Sequence, residues 1–297
     1  MEIVEIHSAQ ERELAAALLN EGFPEADFEW SIAFEAPPGK YGHGLLLMID
    51  NEPQGEMLCF EKIETINGRA QRIVNVSSWY VREQYRRYLI WMVRHLTEDP
   101  EIVLTACTPS PVVSRIGEKV GFRHVSEGSI ASIPLLNGFF RNPEVQVLPY
   151  EASLLDAETR QKIEDHDNEQ TISLILRSGV LVAPLVMVTG MDVLQLPAAR
   201  LLFTTDFTLL KKALPEVHSF LFRKFAIVGI YLPRISELEG LKSIRPTRSG
   251  PSIIAKGDIE DADVNLLYSE LHYLPVSRRT FSQRMKRALR RLRPSLN

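Results

Sequence analysis

The chain has 297 residues, 45% of them hydrophobic and 24% charged. That is apolar enough for a large packed core and too apolar for a disordered chain. The net charge of −4 excludes a strongly basic nucleic-acid binder, and two cysteines, Cys59 and Cys107, exclude a disulfide framework and a four-cysteine zinc site. With no basic-then-apolar leader and no apolar run of about 20 residues, the chain reads as cytoplasmic.

Elements follow in chain order. Ile6 to Gly22 reads as a helix, with Ser8 and Glu11 spaced for a capping box and Leu14, Leu18 and Leu19 forming the apolar stripe. Residues 44–81 read as an antiparallel three-stranded meander. Its first turn is Asn51 to Gly55, its second is Asn67-Gly68, and its last strand is Arg72 to Val81. A helix is predicted over Tyr85 to Glu98, then a short buried strand from Ile102 to Ala106. Ser110 and Pro111 open the next helix, which Gly121 closes. Phe122 to Ile133 is predicted to return as one strand.

After Asn142-Pro143 the order partly repeats. A helix is expected over Ser153 to Asp165, with Ser153 as N-cap. Two strands follow between Thr171 and Thr189, broken at Ser178-Gly179, and another at Ala199 to Thr204. Phe207 to Phe222 reads as a helix kinked at Pro215 and capped by Asp206, and Phe225 to Leu232 as a strand. Ile235 to Asp258 looks loop-rich, and Asp263 to Leu274 is expected to close a sheet. The domains expected are 1–142, 143–275 and a tail, 276–297.

Charge is placed unevenly. From Arg278 onward there are eight basic residues and no acidic one, whereas residues 1–277 carry 26 basic against 38 acidic residues, a net −12. Phe281, Met285, Leu289, Leu292 and Leu296 share one helical face in this tail. The better-fitting partner is the acidic body of the protein. The alternative is peripheral contact with an anionic membrane; nucleic acid is not expected.

The order helix, three antiparallel strands, helix, strand, helix, strand over about residues 1–135 resembles the GCN5-related N-acetyltransferase (GNAT) superfamily. The residues that carry the likeness are Val76 to Arg87, a strand running into a basic turn, and Gly117-Glu118-Lys119-Val120-Gly121-Phe122. The resemblance implies an α/β (α+β) fold, a mixed, mostly antiparallel sheet flanked by helices, followed by a diverged second GNAT-like half. It also implies a co-substrate, acetyl-CoA or a longer acyl-CoA, with no metal.

The site it implies lies where the strand ending at Val81 parts from the strand ending at Ala106. Trp79, Tyr80, Val81, Arg82, Arg86, Arg87, Tyr88, Leu89 and Ile90 would hold the co-substrate. Backbone amides from about Arg86 to Ile90 would receive its pyrophosphate, as a helix N-terminus receives an anion. The superfamily pattern Gln/Arg-x-x-Gly-x-Gly/Ala falls on Arg86 to Trp91, with Leu89 and Trp91 in the glycine places. The usual acid, a tyrosine, is matched by Gly117, and the usual carboxylate base by Asn75. The function implied is acyl transfer to an amine or hydroxyl of a small or carbohydrate-like acceptor; the alternative is a binding or scaffolding protein that lost the chemistry.

Other candidates come from the residues themselves. Cys107 is a nucleophile only with a base and a depressed pKa, and it fits better as a small buried filler. His43, between Gly42 and Gly44, is either a substrate-side base or an ordinary exposed loop histidine. His166 with Asp165, Asp167 and Glu169 reads as a solvated acidic turn rather than a metal cluster.

Overall fold

The computed structural model describes residues 1–274 apart from positions 27, 67, 127, 138–141, 195, 245–251 and 262–263. The basic tail lies outside the described residues.

The first half builds a sheet from β1 (Glu2–Glu5), β2 (Gly44–Ile49), β3 (Glu52–Ile66), β4 (Arg69–Val81), β5 (Ile102–Ala106) and β6 (Arg123–Ser126). Helix α1 (Ala9–Gly22) starts with the expected capping box: Glu11 N–H donates to Ser8 Oγ at 3.2 Å and Ser8 N–H donates to Glu11 Oε2 at 2.6 Å. Helix α2 (Leu89–Thr97) follows β4, and α3 (Pro111–Lys119), capped by Ser110, follows β5. The α2 side chains Met92, Val93 and Leu96 pack on Met57, Cys59, Val74, Val76, Leu104 and Ala106. Each such buried apolar side chain contributes about 1.5–3 kcal/mol. Helix α1 covers the opposite face, on Leu46 and Leu58.

The second half repeats the plan. Strand β8 (Gln146–Pro149) is followed by α5 (Ala157–Glu164), β9 (Thr171–Ser178), β10 (Leu181–Val193), β11 (Leu196–Thr204), α6 (Phe207–Phe225) and β12 (Gly229–Pro233). Pro215 lies inside α6 without ending it. The cap of α5 is Asp156, not Ser153: Asp156 Oδ1 accepts from Thr159 N–H at 2.9 Å, while Ser153 sits in a separate short 3-10 turn.

With β7 (Ser129–Ser132) and β13 (Ile253–Lys256), two sheets result, in the orders β1-β2-β3-β4-β5-β13-β6 and β7-β12-β11-β10-β9-β8. Among the described residues their pairs are antiparallel except β4 with β5 and β11 with β12. The expected single strand over Phe122 to Ile133 is in fact two. β6 stays in the first sheet, and β7 (Ser129–Ser132) crosses to the second, antiparallel to β12. In return β13 (Ile253–Lys256), in the stretch expected to be loop, inserts between β5 and β6. A boundary at 142 therefore leaves one strand of each sheet on the far side. Within the stretch expected as a strand, Asp263 to Leu274, the described residues 264–274 instead carry the short helix α7 (Glu270–Tyr273). A four-residue helix α4 (Pro134–Asn137) follows β7.

Between the sheets a shared core joins Ile66, Ile73, Val103 and Cys107 of the first to Val186, Val188 and Leu202 of the second, with Ile253, Ala255 and Leu267. A buried ion cluster crosses the same seam. Glu64 meets Lys62 at 2.8 Å and Lys162 of α5 at 3.4 Å, and it accepts from Asn265 Nδ2 at 3.0 Å. Burial lowers the Lys62 pKa to about 8, against the pull of Glu64.

Candidate active site

The site follows from where two strands stop pairing. β4 runs parallel to β5 from Arg72 opposite Ile102 to Asn75 opposite Thr105. β5 then ends at Ala106 and the chain turns toward α3, while β4 continues to Val81, still bonded to β3 along its other edge. Among the described residues no strand pairs with the edge that faced β5 from Val76 to Val81, which leaves its backbone groups to a ligand. Within this stretch Ser78 holds φ +47°, and the β3–β4 register shifts between Glu56 and Leu58. Such a bulge bends the strand and re-aims its groups, at a cost that is found mainly at functional sites.

The segment after β4 differs from expectation. A 3-10 turn, Glu83–Tyr88, runs straight into α2, and Leu89 N–H bonds to Arg86 O. Tyr85 N–H is also spent, on Arg82 O at 2.8 Å. Among the described residues the amides of Glu83 and Gln84, at the start of the turn, have no partner. No side chain caps either this turn or α2. Arg82 is occupied: its guanidinium forks onto Glu21, with Nη2 to Oε2 at 2.7 Å, and reaches Gln54 Oε1 at 3.1 Å. Tyr80 also donates to Glu21, at 2.8 Å. Arg86 and Arg87 are exposed, and Arg87 lies over the Tyr88 ring. Trp79, Leu89 and Ile90 are half-buried and Val81 is buried.

At the point where the strands part, the interior is polar. Asn75 Nδ2 donates to Thr105 Oγ1 at 3.2 Å and to Cys107 Sγ at 2.9 Å, and Asn75 Oδ1 is buried without a partner. Cys107 is buried, its thiol pushed well up first by burial and then by Glu270, so it is not a ready nucleophile. Glu270, the first residue of α7, brings a carboxylate to the same place. Thr108 Oγ1 donates to its Oε1, while Oε2 is shut off from solvent and unpartnered. Burial raises the Glu270 pKa; the Thr108 and Ser77 hydroxyls and the Arg200 charge oppose it. Arg200, from β11, is buried beside the Tyr231 ring, its guanidinium 5.5 Å from the ring centre. Glu270 and Arg200 carry no sequence signal of this role, since the Thr108–Glu270 contact spans 162 residues.

α7 also leads outward. Its His272 and Tyr273 line an open cleft of about 470 Å³ with Glu35 and Pro37 from the segment before β2 and Asp165, Asn168 and Glu169 from the second half. The Tyr273 ring stacks on Phe60 at 4.9 Å, and Phe60 is the β3 partner of Asn75. Burial lowers the His272 pKa to about 4, helped by His166. His166 is itself buried, its Nδ1 on Lys162 O at 2.6 Å and its ring against Tyr268, so it is set apart from the exposed acids around it.

Two further candidates lie elsewhere. His43 is buried, 4% exposed, with its ring edge-on to Phe34 at 5.6 Å; it is not the exposed loop residue expected. Burial, then Arg12 and His7, lowers its pKa. It precedes β2, and β3 and β4 separate that strand from β5, a distance of about 14 Å at the usual strand spacing. Gly117 is a packing residue: a Cβ there would stand 2.8 Å from Ile254 Cδ1, so any larger residue requires that side chain to move.

No protein-family profile matches the sequence, and neither does any curated protein. Solved structures do match its fold. A GCN5-related N-acetyltransferase of Anabaena variabilis superposes with a TM-score of 0.57 at 9% identity, over 86% of this chain and 72% of that one. A protein of Enterococcus faecalis V583, described as a probable N-acyltransferase, gives 0.54 at 10% identity over 86% and 72%. A GCN5-related N-acetyltransferase of Kribbella flavida gives 0.53 at 9% identity over 86% and 70%. The fold, with its two mostly antiparallel sheets flanked by helices, is that of the GCN5-related N-acetyltransferases.

Proposed function

We propose that this chain transfers an acyl group from acetyl-CoA or a longer acyl-CoA to an amine. The observation that carries the reading is the parting of β4 from β5 after Asn75 and Thr105, which leaves the β4 edge from Val76 to Val81 open. A pantetheine arm, an extended chain with two amides, bonds to such an edge as an added strand would. Its pyrophosphate then meets the amides of Glu83 and Gln84 and the charges of Arg86 and Arg87. Arg82 holds Glu21 and shapes the turn instead. The thioester end lies toward Ser77, where an acceptor arrives from the cleft that α7 lines.

Among its described residues that cleft is lined by Glu35, Asp165 and Glu169 and by no lysine or arginine, which favours a cationic amine over a neutral hydroxyl. Holding amine and thioester together supplies much of the rate by removing the cost of their encounter.

A second reading, a chain that binds acyl-CoA without turning it over, is favoured by Asn75 and Gly117, neither of which transfers a proton. Titration calorimetry and thiol release separate the two. Acetyl-CoA is expected to bind and to raise the melting temperature, and Arg86→Ala to weaken binding by about 10- to 100-fold, the loss of one charge-assisted contact. Unchanged affinity in Arg86→Ala removes the pyrophosphate from this turn. Binding without any release of CoA thiol establishes the second reading.

A further inference from the structure

An amine reaches the site as an ammonium at neutral pH and must lose a proton before its nitrogen can attack a thioester. Asn75 cannot accept that proton, and Cys107 is buried as a neutral thiol. Glu270 is placed to do so. Thr108, on the chain leaving β5, donates to its Oε1, and Ser77, two residues past the last β4–β5 pair, presents its hydroxyl from the other strand. The carboxylate thus spans the mouth between the two strands. Its Oε2 is out of solvent and lacks a partner, an arrangement that costs free energy unless something fills it.

We propose that Glu270, delivered by the C-terminal helix α7, is the general base that deprotonates the acceptor; the proposal rests on the acyl-transfer reading above. Oε2 first takes one proton from the ammonium, and the freed nitrogen electron pair then bonds to the thioester carbonyl carbon. The C–S bond breaks, sulfur leaves with its electron pair, and the second proton on the nitrogen passes to that sulfur, which gives a neutral amide and CoA thiol. The proton on Glu270 passes to solvent before the next turnover. Water in the acceptor's place gives slow hydrolysis by the same route. The charged and titratable groups around Glu270 are Cys107 beyond β5 and Arg200 from β11, with the Ser77 and Thr108 hydroxyls completing its surroundings. The rate therefore rises with pH as Glu270 ionises, at a midpoint above that of an ordinary glutamate.

The experiment uses the full chain, acetyl-CoA, and either water or 1,5-diaminopentane as acceptor, with CoA thiol release as the rate and calorimetry for acetyl-CoA binding. Glu270→Gln is expected to bind acetyl-CoA within about twofold of the parent. It should release thiol about 100-fold more slowly or worse, without the pH-dependent rise; Glu270→Asp should restore part of the rate and the rise with it. Thr108→Val keeps the carboxylate and removes one donor to it, so the midpoint should move to higher pH. A parental rate in Glu270→Gln, an unmoved midpoint in Thr108→Val, or no thiol release by the parent protein each overturns the assignment of the base. Acetyl-CoA binding by the parent keeps the acyl-CoA reading standing in all three cases, and its absence overturns that reading itself.

Discussion

Both halves of the chain end a parallel strand pair and let the longer strand run on, at Asn75 opposite Thr105 and at Arg200 opposite Tyr231. In the first half the extension, Val76 to Val81, stays partly open, and the turn after it has no side-chain cap. In the second half Leu201 and Leu202 are both 2% exposed, one in the α6 core and one in the seam between sheets. There the following helix is closed by its own carboxylate: Leu209 N–H donates to Asp206 Oδ1 at 2.7 Å. An anion already sits where a phosphate would go. Under the proposed function, one frame serves as a site in one half and as a wall in the other, according to what meets the strand edge and what caps the helix.

The largest effect is expected at the seam that holds the two halves in register. Glu64→Gln leaves Lys62 buried without its counter-charge and takes one of two carboxylates from half-buried Lys162, which keeps Glu158, and removing one member of a buried ion pair costs about 3–5 kcal/mol. Urea unfolding measures it; a loss under 1 kcal/mol would show that the halves do not depend on this contact.

Capping gives a smaller, sharper test. Asp206→Ala should cost about 1 kcal/mol in the same assay. Calorimetry should still count one acetyl-CoA per chain, because the strand backbone past Arg200 is already engaged, with Leu266 N–H donating to Leu202 O at 2.9 Å. A second equivalent in this variant would mean that the cap alone had kept the second half empty.

A third test is pH dependence. His218 of α6 is buried against Ser132 of β7, at 2.9 Å, and burial lowers its pKa to about 4. The unfolded chain takes up a proton near the ordinary histidine value of about 6.5, before the folded one does. Stability that is present above that value is therefore lost as pH falls toward 4. Melting temperatures recorded across that window should fall, and His218→Gln should flatten the slope; an unchanged slope would assign the acid sensitivity to other groups.

Much of the frame was legible locally. The capping box of α1, the meander over 44–81, Ser110 with Pro111, and Asp206 are each set by residues within a few positions of one another, and the tertiary structure keeps them all. The likeness over Val76 to Arg87 points to the strand that outruns its parallel partner, and it does not foresee the 3-10 turn that follows β4.

What the sequence determined by itself is therefore short-range: caps, turns, and the alternation of long strands and helices, whose physics is complete within about ten residues. Only the tertiary structure decided the rest. β7 and β13 are four residues each, too short for a period to declare which sheet takes them, and they trade sides. Cys107, Asn75, Arg200 and Glu270 come from four distant segments, and no spacing rule connects them. Glu270 faces Thr108 because the chain after β13 folds back across the seam, where Leu266 and Leu267 enter the shared core. Apolar burial in that core, summed over both sheets, places a carboxylate whose own neighbours in sequence give no sign of its partners.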